Sequence, residues 1–229
     1  MKGMILNETS KTVSIITFAS ANVKTGDMAQ VWILNKDINP VDALKSGASK
    51  EVCFNCTHLV NKTCYVNVGQ APQSVYKAYK MGKYAPLDLD ILKALIKWKA
   101  VRFGAYGEPV LIPLHLVKFM AKHARGFTGY THQWQNLAYL DYKDYFMAST
   151  DNISEVVKAH QMGYRTFRVK GENQVNLANE IDCPNATTGV QCRDCTLCDG
   201  LGKHGKGKSI TAIVHGTKGK INKFNLINL

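Results

Sequence analysis
The chain has 229 residues, 45% of them hydrophobic, which is enough for one large domain or one domain with a small appendix. No apolar run approaches the ~18 residues that would span a bilayer, and the N-terminal residues lack a secretory pattern, so a cytoplasmic protein without membrane association is expected. The 29 Lys and Arg against 17 Asp and Glu give a formal net charge of +12, which favours acidic partners.

In chain order, the first readable strand is Thr12–Ala19, followed by a second at Gln30–Leu34. Asn39-Pro40 opens a short helix at Val41–Lys45, and the segment after it, which carries three cysteines, reads as a loop. Pro72–Met81 has helical periodicity with Val75, Ala78 and Tyr79 on one face. Asp88–Lys99 is an amphipathic helix that Asp88 caps, with Leu89, Leu92, Leu95 and Ile96 sharing a face. An alternation then begins: strand Val101–Tyr106, helix Pro113–Ala124, strand Phe127–Thr131, strand Tyr145–Ser149, helix Ile153–Met162, strand Tyr164–Val169. Helices recurring between short apolar strands imply parallel pairing. The polar motifs Gly107-Glu108-Pro109, Thr131-His132-Gln133 and Ser149-Thr150-Asp151 all follow strand ends, where ligand sites of parallel sheets lie. The last strand is Ser209–His215. From Leu201 to Leu229 there are six lysines (203, 206, 208, 218, 220 and 223) and no acid, so this end is either a nucleic-acid contact or a solvated, partly disordered basic tail.

The seven cysteines fall into two groups, Cys53, Cys56 and Cys64, and Cys183, Cys192, Cys195 and Cys198. Clustered thiols at CxxC spacing in a chain that reads as cytosolic point to metal. CxxCxxC wraps the backbone around one point, and a distant fourth cysteine completes a thiolate set suited to a [4Fe-4S] cluster. Structural zinc is the rival, although zinc sites usually present two separated CxxC pairs. The first group, with three thiolates, would leave one iron of a second cluster open, unless His58 closes a zinc site or the thiols bind nothing.

Val101–Pro113, VRFGAYGEPVLIP, resembles the strand-and-turn motif of radical S-adenosylmethionine enzymes, in which Gly-Gly-Glu-Pro holds the amino group of the methionine moiety. Gly107, Glu108 and Pro109 match it, with Tyr106 in place of the first glycine. Phe146–Asp151 is similar to a later strand of that superfamily, and the trailing cysteines occupy the place of an auxiliary cluster. The first group is spaced C-x2-C-x7-C, where that superfamily typically has C-x3-C-x2-C. A second resemblance is to phage and bacterial proteins related to the mycobacteriophage gene product 88 family. It rests on Lys24-Thr25-Gly26, Cys53-x2-Cys56, Cys64-Tyr65-Val66, the FGAYGEP segment, Gly129–Trp134 (GYTHQW) and the CxxCxxCDG close. It implies a phage origin, action in the host cytoplasm during infection and a metal-bearing fold, but no activity.

The expectation is an α/β chain: a partial (β/α) barrel of about six parallel strands over residues 1–182, with cysteine-rich cluster loops, and a C-terminal piece over 183–229. Tyr106, Gly107, Glu108 and His132 would line a pocket for S-adenosylmethionine. Ser149 and Asp151 read first as caps of the helix that follows them. Arg165 and Arg168, three apart on one strand, would point to opposite faces. Hydrolase, Walker A and HExxH signatures are absent, so the rival to an iron–sulfur protein of radical-SAM-like architecture is a zinc- or cluster-stabilised module that binds nucleic acid.

Overall fold
The computed structural model describes residues 1–203 and 207–227. Its elements run β1 (Gly3–Glu8), β2 (Thr12–Thr17), β3 (Ala29–Asn35), α1 (Pro40–Ser46), α2 (Lys50–Cys53), α3 (Thr57–Val60), α4 (Ala71–Lys80), α5 (Leu89–Ile96) and β4 (Ala100–Tyr106). They continue with α6 (Leu114–His123), β5 (Gly126–Thr128), β6 (Tyr130–Thr131), β7 (Met147–Thr150), α7 (Ile153–Gln161), β8 (Thr166–Lys170), β9 (Glu180–Asp182), α8 (Pro184–Thr188), α9 (Cys192–Cys195), β10 (Ser209–Ile213) and α10 (Lys218–Ile227). They form an α/β protein of two units. Unit 1 is Met1–Phe54, Val66–Thr128 and Gln191–Thr196; unit 2 is Asn55–Tyr65, Gly129–Val190 and Leu197–Leu229.

Unit 1 is built on a mixed sheet in the order β1-β2-β3-β4-β5. β1, β2 and β3 pair antiparallel, and β3, β4 and β5 pair parallel. The central strands are covered on both faces: five of the six residues of β2 are buried, the polar Thr12 and Ser14 among them. Asn39 caps α1 by accepting from the Val41 and Asp42 amides, and Asp88 caps α5 by accepting from Asp90 and Ile91. Leu92 and Ile96 turn inward, while Leu89 and Ile91 of the same helix stay exposed. In α4 the buried side chains are Pro72, Val75 and Tyr76, so Tyr76 takes the place expected of Tyr79.

Unit 2 is built on an all-parallel sheet in the order β6-β7-β8-β10-β9. α7 connects β7 to β8, the crossover that a parallel pair requires. Trp134 packs with Ala148, Ala159 and Tyr164, and its indole N–H donates to the Ser149 carbonyl at 3.0 Å. Arg165 and Arg168 are both buried and both paired, so neither is an open arm for a ligand. Arg165 gathers the loop after Cys198, donating to Asp199 and to the carbonyls of Leu197, Gly200 and Lys208.

Several expectations change. The strand expected over Phe127–Thr131 is two strands, with β5 in one sheet, β6 in the other, and Gly129 between them. Gly129 donates to the Cys198 carbonyl and accepts from Met147, so its backbone is committed within unit 2. The basic end is ordered where described: β10 is the strand between β8 and β9, and α10 buries Phe224. Lys206 lies outside the described residues. The cysteine segments contain short helical turns, α2, α3, α8 and α9, rather than plain loop.

Candidate metal centres
No disulfide joins any of the seven cysteines; Cys198 is buried and the others are intermediate. In unit 1, Cys53 ends α2, and the preceding carbonyl, that of Val52, accepts from the Glu108 amide at 2.7 Å. The Gly107-Glu108-Pro109 turn therefore buttresses the Cys53 segment directly. Gly107 has φ +80°, and a Cβ there would stand 2.7 Å from the Ile33 carbonyl oxygen, so glycine is required by the backbone alone. Glu108 and Tyr106 are buried in this unit, which fixes the turn without assigning it a ligand.

The other cysteines of unit 1 are Cys192 and Cys195, at the two ends of α9. The Lys24 and Thr25 carbonyls accept from the Cys192 and Arg193 amides at 3.1 Å each, and Gln191 donates to the Val23 carbonyl. Lys24-Thr25-Gly26 is thus a rail for the CxxC segment. An Arg125–Asp194 ion pair at 3.0 Å holds the same segment from β5's side.

Unit 2 carries Cys56 and Cys64, which flank α3, and Cys183 and Cys198. Cys183 and Cys198 join one apolar cluster with Met147 and Ile210, so residues fifteen apart in sequence share one environment. Lys220 of α10 donates to the Cys64 carbonyl at 2.5 Å.

Unit 2 also assembles a group that spacing did not reveal. His132 follows β6 and Asp151 follows β7, so both leave the C-terminal ends of neighbouring parallel strands. His58, on α3, completes the set: one donor atom from each of His58, His132 and Asp151 lies within 4.8 Å of the other two. His58 Nε2 is 3.1 Å from Asp151 Oδ1, and His58 Nδ1 is 2.9 Å from the Thr63 hydroxyl. Both ring nitrogens of His58 are therefore directed at groups of unit 2 other than a thiolate. Burial pushes the Asp151 carboxyl up, but His58, His132 and Thr57 outweigh it and hold the group below the usual carboxylate range.

Asp151 does not cap α7. Asn152 does, accepting from the Glu155 amide at 2.9 Å, while Glu155 accepts from the Asp151 amide at 2.8 Å. Ser149 is a buried member of β7. No protein-family model matches the chain, and neither a curated protein nor a solved structure does. No helix among the described residues is long and apolar enough to cross a membrane.

Proposed function
We propose that the chain is an iron–sulfur protein. In this reading Cys183, Cys192, Cys195 and Cys198 ligate one [4Fe-4S] cluster, and Cys53, Cys56 and Cys64 ligate a second with one iron open. The observation that carries it is where the backbone is strained. Among the described residues, the non-glycine positions with left-handed φ are Phe54 (49°), Lys62 (55°) and Thr196 (48°). Each lies one or two residues from Cys53, Cys64 or Cys195. Such conformations cost of order 1–3 kcal/mol apiece and persist where a function imposes them. Phe54 and Thr196 close α2 and α9, and Lys62 follows the cap of α3, so each short turn beside a cysteine is ended by a residue other than glycine, which supports a role for these turns beyond packing.

The proposal includes the radical-SAM-like architecture, a partial (β/α) barrel of about six parallel strands, and action in the host cytoplasm during phage infection, all of which rest on the motif resemblances. S-adenosylmethionine would meet the open iron, with Glu108 near its ammonium group. Purification without oxygen tests the reading: the chain should be brown and hold about four iron and four sulfide per cluster. Colourless protein holding zinc would replace it with structural zinc sites. Replacing Cys192 and Cys195 by Ala should lower the iron content. S-adenosylmethionine should perturb the paramagnetic resonance of the reduced protein, less so in Glu108→Gln; an unchanged spectrum would reduce the resemblance to architecture.

A second reading, a nucleic-acid-binding module, is favoured by one specific observation: α10 has no acidic residue and exposes Lys218 and Lys223.

A further inference from the structure
Asp151 stands apart from the other buried charges of unit 2. Arg165 is answered by Asp199, Arg168 by Glu180 and Lys170 by Asp182, each a carboxylate met by a fixed cation. Asp151, with its side chain 4% exposed, is met by the imidazoles of His58 and His132 and by Thr57, with no fixed cation beside it. A carboxylate buried in this way is costly unless positive charge is supplied to it. Helix capping does not explain the residue, because Asn152 and Glu155 perform that task.

His58 shows what kind of charge fits. In the tautomer whose Nδ1–H donates to the Thr63 hydroxyl, Nε2 carries a lone pair that faces Asp151 Oδ1 at 3.1 Å; in the other, Nε2–H donates to that carboxylate and Nδ1 accepts from Thr63. The first tautomer places two electron-rich atoms side by side, an arrangement that a cation between them turns into two coordination bonds. Donors about 2.0–2.2 Å from one ion stand roughly 3 Å apart when they are adjacent ligands. His132 brings the third donor within 4.8 Å of the other two, its ring edge-on to His58 at 86° with centroids 5.6 Å apart.

We infer that His58 Nε2, His132 and Asp151 form a site for one divalent first-row transition-metal ion, with Thr63 as the residue that orients His58. This goes beyond the thiolate reading and does not depend on it. Two imidazoles and a carboxylate are donors for Zn²⁺, Fe²⁺ or Mn²⁺, and three protein ligands leave positions for water or a substrate oxygen. Phe224, buried on α10, stacks on His58 at 6.1 Å and 21°, giving the site an apolar wall. The alternative is a hydrogen bond from His58 Nε2–H to Asp151, with Nδ1 accepting from Thr63, in a group that binds no metal.

Manganese separates these cases, because thiolates are poor ligands for it while imidazole and carboxylate accept it. Chelator-stripped full-length protein is titrated with Mn²⁺, and free ion is followed by paramagnetic resonance. One Mn²⁺ should bind per chain, with imidazole nitrogen coupling in the pulsed spectrum. His132→Gln and Asp151→Asn should each weaken binding by more than about tenfold, and Thr63→Val by roughly tenfold. His115→Gln, which removes an exposed histidine outside both proposed sites, should bind as the wild type does. Far-UV dichroism identifies variants that fail to fold; should both ligand variants fail, the wild-type nitrogen coupling and Thr63→Val decide. The inference is overturned if folded wild type binds no Mn²⁺, if binding survives both ligand substitutions, or if His115→Gln abolishes it. Iron and sulfide content, which tests the thiolate reading, does not enter these measurements.

Discussion

Arg168 and Glu180 meet through two hydrogen bonds, Nε to Oε1 at 2.8 Å and Nη2 to Oε2 at 2.5 Å, with both side chains essentially inaccessible to water. Removing one partner leaves a bare charge in the interior, so Glu180→Gln should cost about 3–5 kcal/mol in denaturant unfolding. Burial pushes the Glu180 carboxyl up, but Arg168, the Leu177 amide and Lys170 hold it below its ordinary value. Its contribution is therefore complete above the unfolded carboxylate range, near pH 4.3, and is lost as pH falls through the lower folded value. Acid unfolding of Glu180→Gln should lack that component; an unchanged pH dependence would show that the pair does not govern acid stability. Gly107→Ala should cost about 1–3 kcal/mol from its positive φ, and more if the Ile33 carbonyl cannot give way. That loss would appear in melting whether or not a ligand binds at the turn. Single residues also mark how much of the site could be read beforehand. Cysteine spacing singled out the thiols, and the place of His132 after a strand singled out that ring. Asp151 read as a cap because Asn152 and Glu155, the actual capping pair, follow it immediately. His58 read as a partner for thiols because nothing local shows that its ring faces a strand end ninety residues downstream.

Among the elements, α10 departs most from expectation. Its buried Phe224 and the Lys220 bond to the Cys64 carbonyl fasten the chain end to the segment that carries His58. Phe224→Ala should destabilise the protein by about 3–5 kcal/mol and loosen the His58 ring; equal melting temperatures would mean that the helix contributes little. The strand–helix alternation from residue 100 to 170 was legible because β4, α6, α7 and β8 are long enough to show their periods. β9, three residues long, shows no period, and its pairing depends on a β10 placed between it and β8. β1 precedes the first strand that was readable, and its Met4 and Leu6 are buried by pairing with β2 and by the Ala85 segment. The docking of α9 on Lys24 and Thr25 is made by backbone groups, which leave no side-chain pattern in a sequence. The division at Gly129 was hidden for a related reason: an apolar run looks the same whether it pairs within one sheet or changes sheets.

At the scale of the whole molecule, the net charge of +12 is unevenly spread, and half of it remains when the six lysines after Leu201 are set aside. The field of such a chain draws polyanions without reading their sequence. The structure narrows which of those lysines can meet phosphate. Lys220 spends its ammonium on the Cys64 carbonyl, whereas Lys218 and Lys223 are exposed on a helix without acids. With Lys220 withdrawn, five lysines set an upper bound of roughly −4.5 for the slope of log K against log salt on duplex DNA. Lys218→Gln with Lys223→Gln should make that slope shallower by about 2 and weaken binding alike on every sequence tested. Both side chains are exposed, so the double variant should melt as the wild type does, and any loss belongs to the contact rather than to the fold. Absence of binding at low salt, or a slope unchanged in the double variant, would remove α10 as the contact and leave the basic charge as a property of solubility. If instead binding persists but distinguishes one sequence from another, groups other than these lysines must reach the bases, and a general phosphate contact no longer describes the interaction.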